Sequence, residues 1–179
     1  MAFSTIMEFT VAFIGEAHET LPIWLNQLPF EPYHTYNDPK GFFVRKYLFN
    51  SDNFGKNFLT VWDLTGFHVN DKDVLDLLRV LDAFILVAIT EKGTLELLHS
   101  IRAVNHDSFG VLLYNTLNIH TEGDSLGPTD PTWVVRMARE HKLAYCPVSP
   151  STDYRTEGPF LKIHRYLSCA DYAVFLSIP

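Results

Sequence analysis

The sequence predicts an α/β domain: a three-layer, doubly wound, mostly parallel six-stranded sheet with one antiparallel edge strand. Three observations carry that expectation. Short β-rich runs alternate with helical runs along most of the chain, which is the pattern of a parallel sheet with crossover helices. Two β-rich runs, 42–49 and 57–63, flank Asn50-Ser51-Asp52-Asn53-Phe54-Gly55, a hairpin signal, so one strand must oppose the others. Residues 83–89, Ala-Phe-Ile-Leu-Val-Ala-Ile, form an unbroken apolar run, as a fully buried strand requires.

Each element has its own grounds. Residues 8–14 are a short apolar run and the first strand. Residues 22–28 read as a short amphipathic helix between Pro22 and Pro29. Pro29, Pro32, Pro39 and Gly41 make 29–41 a loop. The hairpin strands follow, then a helix over 71–80 with Asp71 and Asp73 in its first turn, suited to the helix dipole. After the strand at 83–89 comes a helix over 93–104 with Leu95, Leu98 and Ile101 on one face. Residues 109–114 are another buried strand, and a polar loop with Gly123 and Gly127 follows. Asp130-Pro131 opens a helix over 130–141, an N-cap residue followed by proline at the first helical position. The strand at 143–148 and a helix over 158–175 complete the chain.

Composition narrows the function. The 179 residues are 47% hydrophobic and 20% charged, which fits one globular domain over 1–179 and excludes disorder. A net charge of −7 argues against nucleic acid, whose phosphates need a basic face. No apolar run is long enough to span a bilayer, no signal-peptide pattern opens the sequence, and Leu176-Ser177-Ile178-Pro179 is no prenylation box. Cys146 and Cys169 have neither metal spacing nor a disulfide framework, consistent with a cytoplasmic protein holding two inert thiols. The eight histidines show no H-x-x-x-H or H-E-x-x-H spacing, so no metal is expected, and no G-x-S-x-G elbow or dinucleotide G-x-G-x-x-G is present.

Five segments fall where a doubly wound sheet binds its ligand, beyond the carboxyl ends of the strands. Length, element order and hairpin position resemble a Ras-superfamily small GTPase, most closely the Rab branch, over nearly the whole chain. The resemblance implies the P-loop NTPase fold and five nucleotide motifs. The first is G-x-x-x-x-G-K-[S/T]. Gly15 stands at its start, but Thr20, Leu21 and Pro22 hold the glycine, lysine and hydroxyl places. Glu16 and Glu19 bring negative charge there instead, as a solvated turn or with a carboxylate replacing phosphate at the helix start. In the second, the loop at 29–41, Thr35 is the sole threonine available to match the residue that in the family closes over magnesium; read from the residues alone it is a loop threonine with no ligand. The same loop is unusually aromatic, with Phe30, Tyr33, His34 and Tyr36.

The third, Val61-Trp62-Asp63-Leu64-Thr65-Gly66-Phe67, is similar to the Rab W-D-T-A-G-Q stretch. It keeps the magnesium-side acid as Asp63 and the γ-phosphate glycine as Gly66, but Phe67 replaces the glutamine that positions water. Without the family context, Asp63 reads as a capping or loop acid. In the fourth, Asn115 survives from N-K-x-D, whereas Thr116 and Asn118 replace lysine and aspartate. An amide at 118 offers one acceptor and a misplaced donor to guanine. Both asparagines also suit turn chemistry. The fifth, S-A-K, retains Ser149, but Pro150 removes a backbone N–H; a serine before proline is also simply a turn.

Every motif has thus lost a group the chemistry needs. The resemblance then implies a pseudoGTPase, a protein-binding module with no catalytic residue, no cofactor and no metal. Gly15, Asp63, Gly66, Asn115, Asn118 and Ser149 are remnants of the nucleotide pocket. Partner contacts are expected through 29–41 and 64–73, with Tyr33, Tyr36 and Phe67 as anchors. Family analogy points to a trafficking, ciliary or cytoskeletal assembly. The alternative is an atypical GTPase that holds GTP/GDP with Mg2+, or another purine nucleotide, without efficient hydrolysis. A flavodoxin-like or hydrolase domain is a third reading.

Overall fold

The computed structural model describes residues 6–15, 31–52, 55–88, 90–115, 132–148, 157–169 and 173–175. In chain order the elements are β1 (Met7–Ile14), β2 (His34–Asn37), β3 (Phe43–Ser51), β4 (Gly55–Asp63), α1 (Lys72–Leu78), β5 (Ala83–Ala88), α2 (Glu91–Val104), β6 (Phe109–Asn115), α3 (Thr132–Glu140), β7 (Ala144–Val148), α4 (Gly158–Ser168) and β8 (Ala173–Phe175). The helix expected at 22–28, the phosphate-loop positions 16–22 and the loop holding Gly123 and Gly127 lie outside the described residues.

The strands form one mixed sheet in the order β2-β3-β4-β1-β5-β6-β7, with β8 pairing to β3. From β4 to β7 the pairings are parallel. The one reversed strand is β3, antiparallel to β2, β4 and β8. The mostly parallel α/β sheet with a single reversed strand agrees with the sequence. The count of six strands does not: the described residues form eight strands of one sheet. Four residues expected as loop, His34–Asn37, form β2, which borrows its ladder from β3 and needs little local propensity. The last helix ends at Ser168 instead of 175, because Cys169 takes a left-handed conformation (φ 49°) and turns the chain back to β3.

Period-2 alternation divides the core between the two sheet faces. Phe9, Val11 and Phe13 of β1 pack with Phe160 and Ile163 of α4 on one face. Ala12 and Ile14 point to the other face, among Val74 and Leu78 of α1, Leu98 and Ile101 of α2, and Val134 and Met137 of α3. Helices on both faces make three layers. Gly110 of β6 allows the closest approach: a Cβ there would lie 2.4 Å from Leu143 and 2.6 Å from the buried Phe84 ring.

Candidate functional site

The strand order reverses around β1, whose neighbours β4 and β5 follow it on opposite sides. Ligand crevices of α/β sheets lie at the carboxyl ends of such strands. Gly15 follows β1 directly, Asp63 ends β4, Gly66 sits in the turn beyond it and Asn115 ends β6. These four candidates therefore gather along one sheet edge. Asn118 and Ser149 lie outside the described residues, as do Glu16 and Glu19.

At this edge Gly66 and Asp63 are engaged with the protein itself. The Gly66 N–H donates to the Gly15 carbonyl at 3.2 Å. Gly66 has φ 80°, a conformation glycine adopts without penalty. Asp63 Oδ1 accepts from the Thr65 N–H at 3.0 Å and from the Thr65 hydroxyl. This is a local turn closed by an acid side chain. Leu64 N–H donates to the Phe13 carbonyl at 2.9 Å, and that bond continues the β1–β4 ladder past its end. Gly15 is buried, and a Cβ on it would meet the Val87 side chain of β5 at 3.1 Å. Glycine at 15 thus has a packing reason of its own. Asp63 serves its own turn and position 22 is proline, so these residues do not fit the magnesium site of the family pattern. Among the described residues no cluster of three His, Cys, Asp or Glu is placed to hold a metal ion.

The aromatic candidates lie on a second surface. Tyr33 is 53% exposed, Tyr36 38% and Phe67 39%. Tyr33 rests against Phe58 of β4, with ring centroids 5.2 Å apart. In register, Tyr36 of β2 stands beside Val44 of β3, and Val44 beside Trp62 of β4. Phe42 links the row to the turn, 6.2 Å from Trp62 and 4.8 Å from Phe67. Tyr33 thus rests on Phe58 and Phe67 on Phe42, and Tyr36 heads the strand row that leads through Val44 to Trp62. Thr35 pairs with Arg45 and, by strand alternation, belongs to the opposite sheet face from Tyr36. Trp62 belongs to the 61–67 motif, whereas Phe42 and Phe58 belong to none of the five motifs. Their signal was β-runs apolar on both faces, more than an outer strand with one buried face requires.

Charges frame this patch. Lys46 pairs with Glu8 at 2.8 Å and lies 5.0 Å from the centre of the Phe58 ring. Burial alone raises the Glu8 carboxyl, but Lys46 and the bond from the Thr60 hydroxyl outweigh it and hold Glu8 below its ordinary value. Lys40 Nζ reaches Asp73 at 2.6 Å and ties the 38–41 turn to the first turn of α1. The hydrogen bond that Lys40 donates to the Asp73 carboxylate raises the ammonium above its ordinary value. Asp38 Oδ1 shapes that turn by accepting from the Lys40 and Phe42 N–H groups at 3.0 and 2.8 Å. No family model matches the chain, and no curated protein matches it.

Proposed function

We propose that the chain is a pseudoGTPase: a small-GTPase-like domain without catalysis, used as a protein-docking module through its former switch segments, 29–41 and 64–73. The observation that carries this reading is the bond from the Gly66 N–H to the Gly15 carbonyl. Under the family pattern that N–H serves the γ-phosphate. Here the Gly15 carbonyl takes it up, while Asp63 holds Thr65 and lysine is absent from position 21. The docking half of the reading rests on the exposed rings of Tyr33, Tyr36 and Phe67, of which Tyr33 lies on Phe58 and Phe67 on Phe42. Exposed aromatic anchors of this kind supply much of the energy of protein interfaces. The Lys40–Asp73 bridge favours a preformed surface over one assembled by nucleotide.

Two experiments test it. Purified protein is denatured and its supernatant run on ion-exchange HPLC, and fresh protein is titrated calorimetrically with GTP, GDP and ATP, with and without Mg2+. No nucleotide and no heat are expected. Stoichiometric nucleotide, or binding tighter than about 10 μM (about −7 kcal/mol), installs the atypical GTPase reading instead. The double substitution Tyr33→Ala with Phe67→Ala is expected to cost partner binding about 2 kcal/mol or more while the fold persists. Undiminished binding to a captured partner moves the docking surface elsewhere.

A further inference from the structure

The opposite side of the sheet from β2 carries a feature that the nucleotide and switch readings leave unused. β7 is the last strand there, and its Tyr145, Cys146 and Pro147 form one wall of a half-open groove of about 410 Å³. The other wall is α4, with Glu157 and Gly158 at one end and Leu161, Lys162 and Arg165 along its length. Lys162 and Arg165 are one turn apart on the helix, both are exposed, and neither has an ion pair among the described residues. Glu157 is the single acid of the lining, and it sits at the helix N-terminus, where a carboxylate complements the dipole. The groove is thus locally cationic on a chain whose net charge is −7.

We propose that this groove docks an acidic segment of a partner protein, with carboxylates on Lys162 and Arg165 and apolar groups against Pro147 and Leu161. Charge complementarity selects the acidic chemistry, since Arg165 suits bidentate carboxylate contact and Lys162 adds a point charge. The lining runs about 12 Å along α4 from Glu157 to Arg165, the length of eight helical rises, so an extended segment can touch both cations and the apolar wall at once. The inference does not depend on the switch surface.

The probe is the capped octapeptide (Glu-Val)4, titrated by calorimetry at low salt against the full chain, with (Lys-Val)4 as its counterpart. Binding of (Glu-Val)4 at about 100 μM or tighter is expected, with none of (Lys-Val)4. The double reversal Lys162→Glu with Arg165→Glu touches exposed side chains, so circular dichroism and melting should match the parent. It is expected to weaken (Glu-Val)4 at least about tenfold. No binding by the parent up to about 1 mM overturns the proposal. So does equal binding by the reversed variant, displacement by about 10 mM inorganic phosphate, which marks a small-anion site, or loss of binding in the Tyr33→Ala/Phe67→Ala protein, which moves the acidic contact to the other surface.

Discussion

His164 is fully buried on α4, stacked on Phe49 at 4.7 Å and edge-on to Phe9 at 6.2 Å. Its ring nitrogens face the Asn57 amide and the Ser168 hydroxyl, at 3.5 and 3.4 Å. Burial lowers its pKa from 6.5 to about 4, so the folded protein holds the ring neutral where the unfolded chain would protonate it. Between those values the unfolded state binds more protons, and stability falls as pH falls. Unfolding in urea at pH 7 and pH 5 should show a loss on the order of 2 kcal/mol, at about 1.4 kcal/mol per pH unit below 6.5. In His164→Phe, which keeps a ring and loses the titration, the slope should flatten; an unchanged slope places the titration on another group. Gly110→Ala is a second test at this scale. The new methyl meets Leu143 and the buried Phe84 ring, and denaturant melts should show a loss of about 1–3 kcal/mol from overpacking.

Asn105 joins separate elements just past the end of α2. Its amide donates to the Leu78 and Leu81 carbonyls at 2.9 Å each, and its Oδ1 accepts from the Ser108 N–H at 3.1 Å. One side chain thereby closes the end of α1, the start of β5 and the turn into β6. Asn105→Ala leaves those backbone groups without this partner and should cost about 1–3 kcal/mol in equilibrium unfolding. Nothing in its local sequence marks Asn105, because all its partners but Ser108 are distant in the chain. The elements themselves were legible wherever their signal was local. The parallel strands are apolar runs, α2 has its amphipathic face, and the β3–β4 hairpin has its turn residues. The misses have the opposite character. β2 is held by its ladder to β3, and α4 ends on a left-handed cysteine, where glycine or asparagine is the usual sign. The site divides in the same way. Asp63 and Gly66 stand out from their motif, but the bond between Gly66 and Gly15 needs the β1–β4 register, which no local pattern encodes.

On the scale of the whole molecule, the proposed function requires a fold that stands without a ligand. A nucleotide bound at about 10 μM and supplied at about 1 mM would add about 2.7 kcal/mol by mass action. For a chain of this size that is a rise of roughly 5–10 °C in melting temperature. Melting with GTP and Mg2+ should show no such rise, and a shift of that size would count against the docking reading. The two proposed surfaces belong to opposite ends of the sheet, one spanning β2 to β4 and the other at β7. Six strand spacings of about 4.8 Å put roughly 29 Å between β2 and β7, enough for two partners to be held at once and each to raise the local concentration of the other. The outer edge of β3 works as a ruler of another kind. β8 occupies it from Ser51 to Phe49 and β2 from Lys46 to Phe43, both running in the same direction. Only Tyr47 and Leu48 lie between the two ladders. Two further residues of β8 would bring it to His34, and a third would have to take its place, so any event that lengthens this strand by three residues or more along the track must begin to peel β2, with Tyr36, from the sheet.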